Sequence, residues 1–204
     1  MTATDKEKDD AYRAVGRWFV EFSRLIFHMR LQVEQRLAKH ELDPRIGTVA
    51  MRPAGPGAVN EAFFGMCHLL GNLDQGEKKI AEALQVNVDR AIRRRNEFAH
   101  GDWWVGFGAK ADGSSGDPFL TRTRKGDTFW TTRDVPVGQL DALSNDLRTR
   151  TNYVTEFGEM CLAPERSEFI WGHSVRPKDV FVIDSENRVA REGPSSGERQ
   201  VTFS

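Results

Sequence analysis

Apolar residues recur at alternating steps of four and three between about Asp10 and His40, at Val15, Phe19, Phe22, Ile26, Met29, Val33 and Leu37. Arg17, Glu21, Arg24, Arg30, Glu34, Gln35 and Arg36 fill the gaps, so the stretch predicts one long amphipathic helix with a weak point at Gly16. It exceeds the usual globular length and is expected to pack against several helices or a partner subunit. Leu42-Asp43-Pro44 stops it, and residues 47–57 read as a loop punctuated by Pro53, Gly55, Pro56 and Gly57. A second helix is predicted from about Asn60, its candidate N-cap, to Leu73, with Phe63, Met66, Cys67 and Leu70 as its stripe. The polar run 74–78 interrupts the pattern. A third helix follows over about Lys79–Ala99, with Ile80, Leu84, Val88 and Ala91 at core spacing and Gly101 placed to end it. His28 reads as a packing or surface residue and His68 as exposed.

After Gly101 the period shortens. Trp103, Trp104, Val105 and Phe107 are strand-like, and residues 108–117 form a Gly/Ser/Asp-rich loop. Residues 119–124 and 128–132 flank Lys125-Gly126-Asp127, which predicts a β-hairpin with Arg122 and Arg124 projecting from one face. A fourth helix is expected from Pro136 or Gly138 through Leu140, Leu143, Leu147, Tyr153, Val154, Phe157 and Cys161, stopped by Pro164. The fold class is therefore mainly α: four to five helices, with a hairpin over about 103–132 inserted before the last core helix. Residues 1–162 form the helical domain. Residues 163–204 form an extension, irregular or a short hairpin, in which 179–184 can pair with 188–191.

With 29 Lys and Arg against 30 Asp and Glu, the formal charge is -1 and the pI about 6.5, so nucleic-acid binding would need a local basic patch. Cys67 and Cys161 stand far apart without zinc spacing, which predicts two buried thiols, no metal and no cofactor. Neither a signal peptide nor an apolar run of spanning length is present, so no membrane is expected and the cytoplasm is the expected compartment.

Chemistry concentrates at Arg93-Arg94-Arg95-Asn96-Glu97-Phe98-Ala99-His100-Gly101. Asn96 and His100 are four apart and share a helix face. Arg95 takes the next core step after Ala91, so a charge replaces an apolar side chain there. Either a salt bridge or a functional site answers for it, and periodicity does not separate the two. Charge runs are usually solvated faces, and a His at a helix C-terminus often serves the helix dipole.

The run Arg95 to Gly101, at the end of a core helix and followed by aromatic residues, resembles the signature of the HEPN superfamily (higher eukaryotes and prokaryotes nucleotide-binding domain), an Arg, commonly with a polar neighbour, followed by His after four to six intervening residues, four here. The resemblance covers about residues 10–162. It implies a helical homodimer that brings two motifs into one cleft, and metal-independent endoribonuclease activity in toxin–antitoxin or antiviral defence, with an antitoxin or regulatory protein as a possible further partner. Carried over, Arg95 and His100 are the catalytic pair and Asn96 their polar companion. Asp102 stands where some members carry a modified Tyr, so that control is not implied. Other members are non-catalytic RNA- or nucleotide-binding or dimerisation modules, which is the alternative reading.

The residue chemistry suits the enzymatic one. RNA carries its own 2′-OH nucleophile, His transfers protons near neutral pH, and Arg stabilises charge growing on phosphate oxygens. The expected products carry 2′,3′-cyclic phosphate and 5′-OH ends. Arg93, Arg94, Arg122 and Arg124 are candidates to hold the RNA backbone, and Trp103, Trp104 and Trp130 to stack bases. Core packing for the tryptophans and a solvated hairpin face for Arg122 and Arg124 are the competing readings.

Overall fold

The computed structural model describes residues 4–39, 44–100, 102–104, 119–123, 130–163, 175–184 and 188–192. The fold is mainly helical. Helix α1 spans Asp5–Lys39, α2 Pro44–Met51, α3 Pro56–Leu70, α4 Gln75–His100 and α5 Val137–Leu162, with a single turn α6 at Pro177–Val180. Between α4 and α5, strands β1 (Asp102–Trp104), β2 (Phe119–Thr123) and β3 (Trp130–Asp134) form an antiparallel sheet in that order. The expected hairpin is the β2–β3 pair, with Thr123 opposite Trp130, and β1 adds a third strand with Trp103 opposite Leu120. Strands β4 (Phe181–Ile183) and β5 (Val189–Arg191) pair antiparallel, as the C-terminal pattern predicts. Among the described residues no helix is long and apolar enough to cross a membrane.

Local capping moves several boundaries. Helix α1 starts before its stripe because Thr4 and Glu7 cap it reciprocally: Thr4 N–H donates to Glu7 Oε2 at 2.7 Å and Glu7 N–H to Thr4 Oγ1 at 3.3 Å. The expected break at 74–78 is instead another such box. Asp74 N–H donates to Glu77 Oε2 and Glu77 N–H to Asp74 Oδ1, both at 2.9 Å, so α4 begins at Gln75. The loop expected over 47–57 is largely helical. Pro44 and Pro56 open α2 and α3, where the first turn has no use for the missing N–H. Gly55 is the N-cap of α3. Asn60 is not a cap; it is buried inside α3 and donates to Asp89 Oδ1 at 2.8 Å. Gly71 ends α3 by donating its N–H to Cys67 O at 2.9 Å.

The chain divides into two compact units, Met1–Leu25 with Arg90–Thr151 and Ile26–Asp89 with Asn152–Ser204. In the first, α1 buries Ala11, Ala14, Trp18, Phe22 and Leu25, whereas the expected Val15 and Phe19 are only half-buried. Only at this end does the stripe lie one residue further round, at Ala14 and Trp18; the expected Phe22, Ile26, Met29 and Val33 are buried. Trp18 stacks on Phe22 with centroids 5.7 Å apart. Its neighbour Glu21 is buried as well, and Arg148 of α5 places Nε at 3.1 Å and Nη2 at 2.8 Å from Glu21 Oε1.

The second unit centres on Met29, Val33, Phe63, Phe64, Leu84, Val88, Phe157 and Phe181. Burying each such side chain contributes roughly 1.5–3 kcal/mol. Phe63 and Phe64 meet edge to face, and Tyr153 packs edge-on against Phe181 of β4. The α3–α4 junction is tied to the C-terminal segment. Arg176 donates from Nε to Glu77 Oε1 at 2.8 Å, from Nη2 to Glu77 Oε2, and from Nη2 to Asn72 O at 2.9 Å. Asn72 adopts the left-handed φ of 45° that asparagine tolerates better than most residues. Lys178 adds a 2.8 Å bond to Asp74 Oδ2. The two cysteines, on α3 and α5, are both free and buried, and each feels the other electrostatically.

Candidate functional site

The last turns of α4 carry the candidate residues, and Phe98 sets their orientation. Phe98 is 5% exposed, its ring edge-on to Trp18 at a centroid distance of 4.9 Å. An α-helix advances about 100° per residue, so Asn96 and His100 each leave α4 about 160° from Phe98. Both are exposed. Arg93 lies about 140° from Phe98 and is exposed too, while Arg94 and Arg95, about 40° and 60° from it, are half-buried. One buried aromatic therefore decides which motif residues meet solvent. His28, on α1, is half-buried with its ring near Phe27, and His68 is half-buried rather than exposed.

Arg95 and His100 are not on one face. They are about 140° apart around α4, with Asn96 between them at about 100° from Arg95. The guanidinium bridges part of that gap, because Arg95 Nη1 donates to Asn96 Oδ1 at 3.2 Å. Asn96 thus draws the arginine head from the half-buried flank toward the exposed face that it shares with His100. That face presents a cation with free donor capacity, an amide and an imidazole: groups able to hold a phosphate and to move a proton. Arg94 is engaged in an interaction of its own.

The wider set is placed less fully. Trp103 and Trp104 lie on β1, directly after α4, and Arg122 on β2 opposite Thr131. Trp130 begins β3. Arg124 and Gly101 lie outside the described residues. Among the described residues no three or more His, Cys, Asp and Glu side chains group as a metal site would need. The role of Phe98 escaped the sequence reading, which tracked the stripe through Ala91 to Arg95. Its signal was there: Phe98 stands seven residues after Ala91, the next but one step on a helical face.

Comparison with protein-family models, curated proteins and solved structures finds no match to this chain.

Proposed function

We propose that this protein is a HEPN-like, homodimeric, metal-independent endoribonuclease of toxin–antitoxin or antiviral defence, with Arg95 and His100 catalytic and Asn96 positioning Arg95. The observation that carries the reading is the Arg95–Asn96 bond beside an exposed His100 at the end of one helix. In the proposed reaction the 2′-OH of RNA attacks the adjacent phosphorus. An imidazole takes the 2′-OH proton, an imidazolium returns one to the departing 5′ oxygen, and Arg95 holds the phosphate oxygens as their charge grows. One His per chain serves both steps when two chains contribute one each. Tyr12 and Val20, both exposed on α1, supply apolar surface for such an association.

The test is cleavage of a mixed RNA pool in EDTA by wild type beside His100→Ala. Wild type is expected to leave cyclic phosphate ends, and the variant to leave the RNA intact while keeping its fold. Equal cleavage by both proteins would overturn the catalytic assignment. Salt-sensitive binding without products, lost with Arg93 and Arg95, would identify a non-catalytic RNA-binding module instead.

A further inference from the structure

The second unit holds a pocket unrelated to the motif. It lies between the C-terminal turns of α1 and α5, encloses about 330 Å³ and is lined by Gln32, Arg36, Ala38, Lys39, Gly158 and Leu162, among others. This volume lies at the lower end of the range that small-molecule sites occupy. Its back wall depends on Gly158. A Cβ at that position would overlap Gln32 Oε1 and the Phe63 ring, so only glycine lets the Gln32 amide lie across α5. There Gln32 Nε2 donates to Thr155 O at 3.0 Å and fixes the wall.

The electrostatics of this pocket are incomplete. Of its charged lining residues, Lys39 and Glu159 already have partners. Arg36 has none among the described residues: its Nε is buried and unbonded, and no carboxylate pairs with its guanidinium. A buried guanidinium nitrogen that has lost water without gaining an acceptor lowers stability, and an anion held on the same guanidinium offsets its unpaired charge. Arg36 and Lys39 against Glu159 leave the lining one positive charge in excess, which a single negative charge neutralises. Gln32, whose buried Oε1 is also unbonded, and Gln35 are the uncharged polar lining residues; Ala38, Leu162, Ala163 and the methylene stems of Arg36 and Lys39 make most of the rest apolar.

We propose that this pocket binds a small organic monocarboxylate, its carboxylate on the Arg36 guanidinium and its aliphatic or aromatic body against the apolar wall. The planar fork of arginine matches a carboxylate in shape as well as charge. The site is independent of the ribonuclease reading and stands or falls without it.

Titration of the full chain with phenylacetate and, separately, with its neutral counterpart phenylacetamide tests the proposal by calorimetry or ligand-observed NMR. Phenylacetate is expected to bind with one-to-one saturation at up to millimolar concentrations, and phenylacetamide at least about tenfold more weakly. Arg36→Gln should weaken phenylacetate by a similar factor while leaving phenylacetamide unchanged. Ala38→Phe, which adds a ring to the lining, should abolish binding of both with an unchanged circular dichroism spectrum. Equal affinity for acid and amide, indifference to Arg36→Gln, or no saturable binding of phenylacetate would each overturn the proposal.

Discussion

Arg95 Nη1 donates to Oδ1 of Asn96, its immediate neighbour, at 3.2 Å. Adjacent helical side chains diverge by about 100° and do not ordinarily face each other. The contact exists because Arg95 is long enough to turn back along the helix surface. On the proposed ribonuclease reading Asn96 therefore acts through Arg95. Asn96→Ala is expected to lower the cleavage rate by about tenfold, the worth of one hydrogen bond. His100→Ala should cost about 10²–10⁴-fold, as for a lost general acid or base. Single-turnover rates of the two variants, with binding measured separately, check the ranking. A larger loss from Asn96→Ala than from His100→Ala would reverse the assigned roles.

Phe98→Ala should cost about 3–5 kcal/mol, because the ring is almost fully buried and its edge contact to Trp18 disappears. Urea denaturation measures this. Phe98→Leu should recover most of the loss, because Leu refills much of the volume.

Arg176→Ala leaves the completely buried carboxylate of Glu77 without its counter-charge. Such an orphan costs about 3 kcal/mol, kept to the lower part of the range by the partial exposure of Arg176. Changing Glu77 to Gln should be milder, since its amide oxygen can still accept from the Asp74 N–H or from Arg176. Denaturation midpoints of the two variants give the order directly.

Asp74 makes the same corner sensitive to acid. Its bond from Lys178, then the N–H of Glu77, hold its carboxyl at about 2 against an ordinary 3.8. The folded pKa lies below the unfolded one, so this stabilisation is complete above 3.8 and disappears as pH falls toward 2. Asp74→Asn should therefore give a flatter curve of melting temperature against pH across that window. Parallel curves would show that Asp74 contributes nothing there. Lys178, raised from 10.5 by the same bond, contributes fully below that value and loses its share above it.

The three long helices were legible in the sequence because a period of 3.6 writes itself along each of them, and the β2–β3 and β4–β5 pairs because short apolar runs flank polar turns. What stayed hidden depends on distance or on punctuation read with the wrong sign. Pro44 and Pro56 read as breaks, although each also suits the first turn of a helix. Asp74-Gln75-Gly76-Glu77 carried a capping signal inside what looked like a turn. Asn60 looked like a cap because asparagine favours that position, and only its partner Asp89, 29 residues on, accounts for its burial. The Glu77–Arg176 pair spans 99 residues and leaves no local trace. At the motif, the spacing of Asn96 and His100 predicted their common face, and the seven-residue step from Ala91 marks Phe98 as inward, but the bond from Arg95 to Asn96 leaves no trace in the sequence.

The thiol pair has a practical consequence for spectroscopy. Burial, then hydrogen bonding to Cys161, pushes the Cys67 thiol well above its usual range, and both sulfurs are shut away from solvent. Thiolate is the species that maleimides and aromatic disulfides attack, so the folded chain should react slowly at either position. A cysteine introduced on an exposed face, for example Ser23→Cys on α1, would then take a fluorophore or spin label selectively. Motion and self-association could be followed in a protein whose own cysteines had been left in place.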